Sequence, residues 1–166
     1  MNKKIVWGVL VLGVFLGLGY LYNQKNEEFK LITDETEMTE FVMTHSQEEL
    51  DEYYRKVDEL KASDIYGGKT PEETLSLYTE ALKIGDVQLA SKYFRLEDQE
   101  KKLNELKELN DEQMSNLIEM LSSGEDSFCD KENLECDING SFKNVDILVV
   151  KLIKIKQSGL WKLKSI

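Results

Sequence analysis

The sequence predicts an α+β protein in which an N-terminal transmembrane helix is followed by several helices packed on a small C-terminal antiparallel sheet. An uncharged apolar run opens the chain, apolar residues recur at helical spacing through its middle, and a run rich in Val, Ile and Leu closes it. Helices that precede strands in this way favour a helical layer on one face of an antiparallel sheet.

The N-terminal run covers residues 5–22, which are 18 residues without a charge. A helix of this length spans about 27 Å, close to the hydrocarbon thickness of about 30 Å. Lys3 and Lys4 precede the run, so the positive-inside rule predicts that residues 1–4 are cytoplasmic and that the rest of the chain is extracytoplasmic. The alternative is a signal peptide cleaved after Gly19, which would release a secreted protein.

The charge is unevenly distributed along the 166 residues, whose formal net charge is −11. Residues 1–22 contain two lysines, and residues 143–166 contain six lysines and one acid, which leaves a net charge of −18 on residues 23–142. So acidic a surface repels nucleic acid and anionic lipid headgroups, and we therefore expect no nucleic-acid partner. The basic C-terminal piece is interpreted as lysines on strands that face solvent.

The chain after the membrane segment is predicted to have two parts. Residues 23–45 are mainly polar and form a tether, with a short helix around Met38, Phe41 and Val42. Residues 46–166 form the α+β domain.

Capping residues mark the helices of this domain. Ser46 and Glu49 have the spacing of a capping box, and Thr70 is followed by Pro71 at the first helical position. Asp86 and Asp111 are predicted to cap two further helices, and a highly charged helix lies between them. Gly85 and Gly124 are predicted to end helices.

Strands follow the helices. The segment from Val145 to Ile155 has apolar residues on both faces, which favours two-sided burial or a bulge. After a turn at residues 158–159, Trp161 and Leu163 are predicted to face inward, and the alternating Lys162 and Lys164 to face solvent. Asn139–Gly140 is predicted to be an earlier hairpin turn, which joins residues 133–138 to Ser141 and the residues after it. One shared core is predicted to contain Tyr78, Leu82, Phe94, Leu117, Leu121, Ile147, Val149, Trp161 and Leu163.

Residues 70–94, which read TPEETLSLYTEALKIGDVQLASKYF, resemble the opening helices of the cone-shaped fold shared by nuclear transport factor two and ketosteroid isomerase. The segment SGLWKL at residues 158–163 is similar to the last strand of such domains, which are common as bacterial membrane-tethered domains of unknown function. In the related isomerases an Asp base and a Tyr donor act inside the cone. Tyr78 and Tyr93 are the candidates for such a pocket, but they are interpreted as core aromatics. The resemblance transfers no catalytic residue.

Few residues indicate a catalytic site or a covalent cross-link. Cys129 and Cys136 are predicted to form a disulfide because the extracytoplasmic compartment permits one, and two free thiols are the alternative. His45 is the only histidine and no nucleophile motif accompanies it, so no catalytic role is expected.

A calcium-like spacing occurs once. Glu135, Asp137 and Asn139 mimic half of a calcium loop with Asp146 at its twelfth position, but Lys143 occupies the ninth. The hairpin interpretation is preferred there, and no metal or cofactor is expected.

Two classes of function remain open. The first is a membrane-anchored, non-catalytic domain that binds a protein partner or a small ligand. The second is an isomerase- or hydratase-like enzyme that uses a cone-shaped pocket, for which a cavity with convergent Asp and Tyr side chains would be the sign.

Overall fold

The computed structural model describes residues 29–130, 132 and 134–166. Ile32–Ile166 form one compact unit. The predicted transmembrane segment at residues 5–22 lies outside the described residues. Within the described part of the chain, no helix combines the length and the apolar character needed to cross a bilayer.

The described chain has an α+β architecture, as the sequence predicts. Helices come first and a four-stranded antiparallel sheet of order β1-β2-β3-β4 comes last. The helices are α1 (Glu35–Thr44), α2 (Gln47–Ser63), α3 (Pro71–Lys83), α4 (Val87–Lys92), a short 3-10 helix (Leu96–Asp98), α5 (Gln99–Glu108) and α6 (Asp111–Ser122). The strands are β1 (Gly124–Cys129), β2 (Glu135–Phe142), β3 (Val145–Lys154) and β4 (Trp161–Ser165).

Helix starts follow the capping residues in most places. Ser46 and Glu49 form the predicted capping box, with the Ser46 N–H donating to Glu49 Oε2 at 2.8 Å. Thr70 caps α3, and Asp86 caps α4. The cap of α6 is Asn110 rather than the predicted Asp111, because the Asn110 amide forms a reciprocal capping box that leaves Asp111 in the first turn.

Two glycines lie at close contacts. Gly124 directly follows the C-cap Ser123 of α6, as predicted for a glycine that ends this helix, and it also begins β1. A Cβ there would lie 2.8 Å from Leu75 Cδ2. Gly140 lies inside β2, where a Cβ would overlap the carbonyl oxygen of Ser123. The β2–β3 turn is therefore not at Asn139–Gly140. Its residues are Lys143 and Asn144, with φ of 51° and 63°, the pair of positive values that a type I′ turn requires.

A bulge in β3 brings two adjacent valines into the core. Ile138 pairs with Val150 and Asn139 pairs with Leu148, so Val149 is an extra residue on β3. Val149 and Val150 are both fully buried. The bulge, one of the two predicted explanations for the apolar residues of this strand, is thus confirmed.

The core lies between the sheet and the helices α3 to α6. Tyr78 and Phe94 meet edge to face with ring centroids 5.4 Å apart, a favourable arrangement for buried aromatics. Most of the nine predicted core residues are fully buried, and two of them, Leu117 and Ile147, are partly buried against the core. The predicted common core is therefore confirmed.

The outer edge of β4 is covered by two loops. Trp161 N–H donates to Gly68 O at 2.9 Å, and Leu163 N–H donates to Tyr93 O at 2.9 Å. Arg95 N–H in turn donates to Leu163 O at 3.3 Å. Paired backbone groups of this kind remove the hazard of an open sheet edge.

Lys162 is buried, contrary to the solvent exposure predicted from its alternation with Trp161. Its side chain is 1% exposed, and Nζ lies 2.6 Å from Asp64 Oδ2 and donates to Lys92 O at 2.8 Å. Asp64, which follows the last residue of α2, and the Lys92 carbonyl at the end of α4 thus cover the side chain of Lys162. Desolvation lowers the pKa of the Lys162 ammonium, although Asp64 acts in the opposite direction.

Candidate functional site

The two tyrosines considered for a catalytic pocket belong to the packed core. Tyr78 is fully buried, and Tyr93 is 7% exposed. None of the described residues gives the Tyr78 hydroxyl a hydrogen-bond partner. Burial, with a smaller effect of Glu105, raises the pKa of that hydroxyl far above its usual value. Neither tyrosine lines the surface grooves that flank β1.

Two grooves flank β1, one on each face of the sheet. The inner groove has a volume of about 260 Å³ and lies between α3, α6 and the start of β1. The outer groove has a volume of about 490 Å³ and lies on the sheet face opposite the helices. Glu125 lines both grooves. The β1–β2 register shifts between Gly124 and Asp126, and Glu125 has no register partner on β2. Glu125 therefore lies at a bulge of β1, at the border between the two faces of the sheet.

The inner groove combines an apolar floor with acidic groups at its rim. Leu75, Leu121 and Ile138 are nearly fully buried and form the floor. A hydrogen bond from the Ser127 hydroxyl is the main factor that lowers the pKa of Glu72, so Glu72 is ionised at neutral pH. The groove therefore suits an apolar stem that ends in a cation.

The outer groove exposes large apolar side chains among carboxylates. Phe128 is 62% exposed and Leu148 is 45% exposed. Asp126 and Asp146 line the same groove. Exposed apolar side chains that adjoin one another on a sheet face are a feature of interaction surfaces.

The cysteine pair connects β1 to β2. Cys129 and Cys136 are register partners on these strands, with Cα atoms 4.0 Å apart and sulfur atoms 1.92 Å apart. The structure thus brings the predicted pair to disulfide distance. The link joins the edge strand β1 to its neighbour β2.

The histidine and the calcium-like spacing are engaged in local contacts. His45 is the exposed C-terminal cap of α1, where Nδ1 lies 2.9 Å from Phe41 O. Two carboxylates of the calcium-like spacing contact lysines of other strands. Asp137 lies 3.2 Å from Lys151 on β3, and Glu135 lies 2.9 Å from Lys164 on β4.

No group of His, Cys, Asp and Glu side chains within the described residues has the arrangement of a metal site.

β1 and the grooves beside it are not evident from the sequence pattern. β1 reads GEDSFC and is exposed from its second residue onward, so it lacks the apolar alternation that marks a half-buried strand. The cysteine spacing is the one sequence signal for this strand. A disulfide that closes so short a loop can link two paired strands, and one of them would then lie directly before Cys129.

Comparisons with protein-family models, with curated proteins and with solved structures gave no match to this chain.

Proposed function

We propose that this protein is a non-catalytic binding domain, held outside the cytoplasm by a membrane helix at residues 5–22, that binds a partner through its surface. The observation that carries the proposal is the burial of the candidate catalytic tyrosine. Tyr78 is fully buried and packs on Phe94 in the core, and it lines neither of the grooves beside β1. An isomerase-like reaction would require a carboxylate and a hydroxyl that face the same cavity.

The grooves beside β1 support binding at the surface instead. The outer groove, at about 490 Å³, has the volume of a small ligand site, and the inner groove, at about 260 Å³, is slightly smaller than that range. The walls of both combine apolar with acidic groups. The proposed kinship with the cone-shaped superfamily rests on residues 70–94 and 158–163, and it agrees with a binding role as well as with an enzymatic one.

Site-specific photo-cross-linking tests the proposal. A photoreactive amino acid replaces Phe128 in the full chain, produced in the membranes of its natural host. We expect an ultraviolet-dependent adduct of defined mass with a peptide or small molecule, which mass spectrometry identifies. The same probe at Lys101, whose side chain is 76% exposed on α5, is the matched control and should give no such adduct.

A core substitution provides a second control in the same material. Tyr78→Phe should leave adduct formation unchanged, because its hydroxyl lies in the core. Absence of a specific adduct from Phe128 and from a set of exposed positions on every helix would contradict a binding role.

A further inference from the structure

We propose that the outer edge of β1 receives an extended basic segment of a partner protein as an added strand of the sheet. This inference rests on the proposed binding function and specifies its site and its partner class. Added strands gain affinity from main-chain hydrogen bonds and specificity from alternate side chains.

The hydrogen-bond phase of the β1–β2 ladder identifies which groups face the outer edge. Asp130 N–H donates to Glu135 O at 2.9 Å, so these two residues are a hydrogen-bonded pair. The next pair, Cys129 with Cys136, is then a non-hydrogen-bonded pair, in agreement with its short Cα separation of 4.0 Å. By the same alternation Ser127, like Cys129, directs its N–H and C=O to the outer edge.

The two edges of the sheet differ in how they are covered. The β4 edge is paired with Gly68 and with residues 93–95. In the described part of the chain no segment pairs with the outer edge of β1, and Glu125 to Cys129 are exposed. β1 therefore offers main-chain groups that β4 does not.

The two grooves match the side-chain alternation of an added strand. Successive side chains of a strand point to opposite faces, so those of an added strand beside β1 would enter the inner and the outer groove in turn. Glu72 lies on the inner side of this edge and Asp126 on the outer side, and Glu125 lines both grooves.

Charge selects the partner. Acidic residues on both faces of the edge favour an incoming strand with lysine or arginine on both faces. A second copy of this chain would bring its own Glu125 and Asp126 against the same acids. Its lysine-rich strand β4 is already paired at the edge, and β3 is inside the sheet. The structure therefore favours a basic partner strand over self-association.

The test uses the full chain in phosphatidylcholine nanodiscs. The probe is a blocked peptide with the repeat Lys-Lys-Val-Val, which places lysine and valine on both faces of a strand. Amide hydrogen exchange followed by NMR reports on single residues of β1. We expect the peptide to slow exchange at Ser127 and Cys129 by at least about tenfold, with little change at Phe128, which is already paired with Asp137. Binding should weaken as salt is raised.

Matched variants separate edge pairing from charge attraction. Ser127→Pro removes an edge N–H without removing a bond to β2, and Ser127→Ala keeps that N–H while losing the hydroxyl. We expect Ser127→Pro to lower the affinity at least about tenfold relative to Ser127→Ala. Asp126→Lys should also weaken binding, whereas Glu108→Lys, at the end of α5, should not.

Several results would overturn the inference. These are absence of peptide binding, equal binding of a glutamate–valine peptide, equal affinity of the Ser127→Pro and Ser127→Ala variants, or protection of β1 amides by self-association without peptide. If cross-links then formed from other exposed positions, the binding function would stand and only the β1 edge would be excluded.

Discussion

The hydroxyl of Tyr78 lies in the core without a hydrogen-bond partner among the described residues. The loss of hydration of such a buried hydroxyl is not offset by a hydrogen bond within the protein, so burying it is unfavourable. Tyr78→Phe keeps the ring contact with Phe94 and should leave the free energy of unfolding unchanged or raise it by about 1 kcal/mol. Urea denaturation measures the change, and a clear loss of stability would reveal a partner for this hydroxyl.

The stability of the protein at alkaline pH tests the burial of Tyr78 in a second way. Burial raises the pKa of Tyr78 in the folded chain above its ordinary value near 10, so only the unfolded chain releases this proton at that pH. The contribution of this residue to stability is present below that pH and is lost as the pH rises above it. Tyr78→Phe should therefore lose less stability than the parent chain above pH ~10.

Lys162 is the residue whose environment the sequence predicts least well. Strand alternation places it opposite Trp161 and therefore in solvent, but alternation carries no information on what covers the second face. Here Asp64 and the Lys92 carbonyl cover it. Lys162→Ala should lower the free energy of unfolding by about 3 kcal/mol, because Asp64 is left as a buried charge without its cation.

The matched control is Lys164→Ala on the same strand. The Lys164 side chain is 36% exposed and contacts Glu135 at the surface. Surface ion pairs of this kind contribute about 0–1 kcal/mol. Equal costs for the two alanine variants in urea denaturation would show that the Asp64–Lys162 pair is not buried in solution.

At the scale of elements, Gly140 shows why a turn signal can mislead. Asn–Gly is a strong hairpin signal, yet Gly140 is inside β2 because the carbonyl of Ser123 approaches it closely. Gly140→Ala should lower stability by about 2 kcal/mol, since a methyl group would overlap backbone rather than a movable side chain. Thermal or urea denaturation measures this cost. The neighbouring exposed Ser141→Ala should change stability by less than about 0.5 kcal/mol.

The predictable elements are those with strong local signals. Capping residues and apolar spacing located α3 and α4 from Thr70 and Asp86, and the concentration of Val and Ile located β3. β1 and the Lys143–Asn144 turn could not be found this way. The exposed edge strand β1 has no apolar pattern. The positive φ values of Lys143 and Asn144 depend on the register of the two strands that flank them, which local sequence does not reveal.

The cysteine pair stabilises the edge element of the sheet. Cys129 and Cys136 enclose a short loop, and closing a loop of this size stabilises by about 2–3 kcal/mol on the chain-entropy model. Protein isolated from its native compartment without reductant should show Cys129 linked to Cys136 by mass spectrometry. Replacing both with Ser should lower stability by that amount and keep the fold. Free thiols at both positions in such material would refute the prediction.

At the scale of the whole molecule, acidic and basic residues come from different parts of the chain and meet in the folded domain. The acids lie mainly before residue 143, and several lysines after it contact acids of other elements, as in Lys164 with Glu135. The sequence could predict that α+β body and its shared core, but not the two grooves. Those depend on where the β1–β2 register shift places Glu125.

Membrane orientation follows from the two lysines before the apolar run. Lys3 and Lys4 favour a cytoplasmic N-terminus, so a reporter that is active only outside the cytoplasm should be active when fused after Ile166. Replacing both lysines with Glu should weaken or invert this orientation, while the same change at Lys101 and Lys102, far from the run, should not. N-terminal sequencing separates anchoring from secretion: a chain that begins at Met1 is anchored, and one that begins at Tyr20 has been cleaved. Activity of a cytoplasm-only reporter at the same fusion point would exclude both arrangements, because each places the acidic domain on the far side of the membrane.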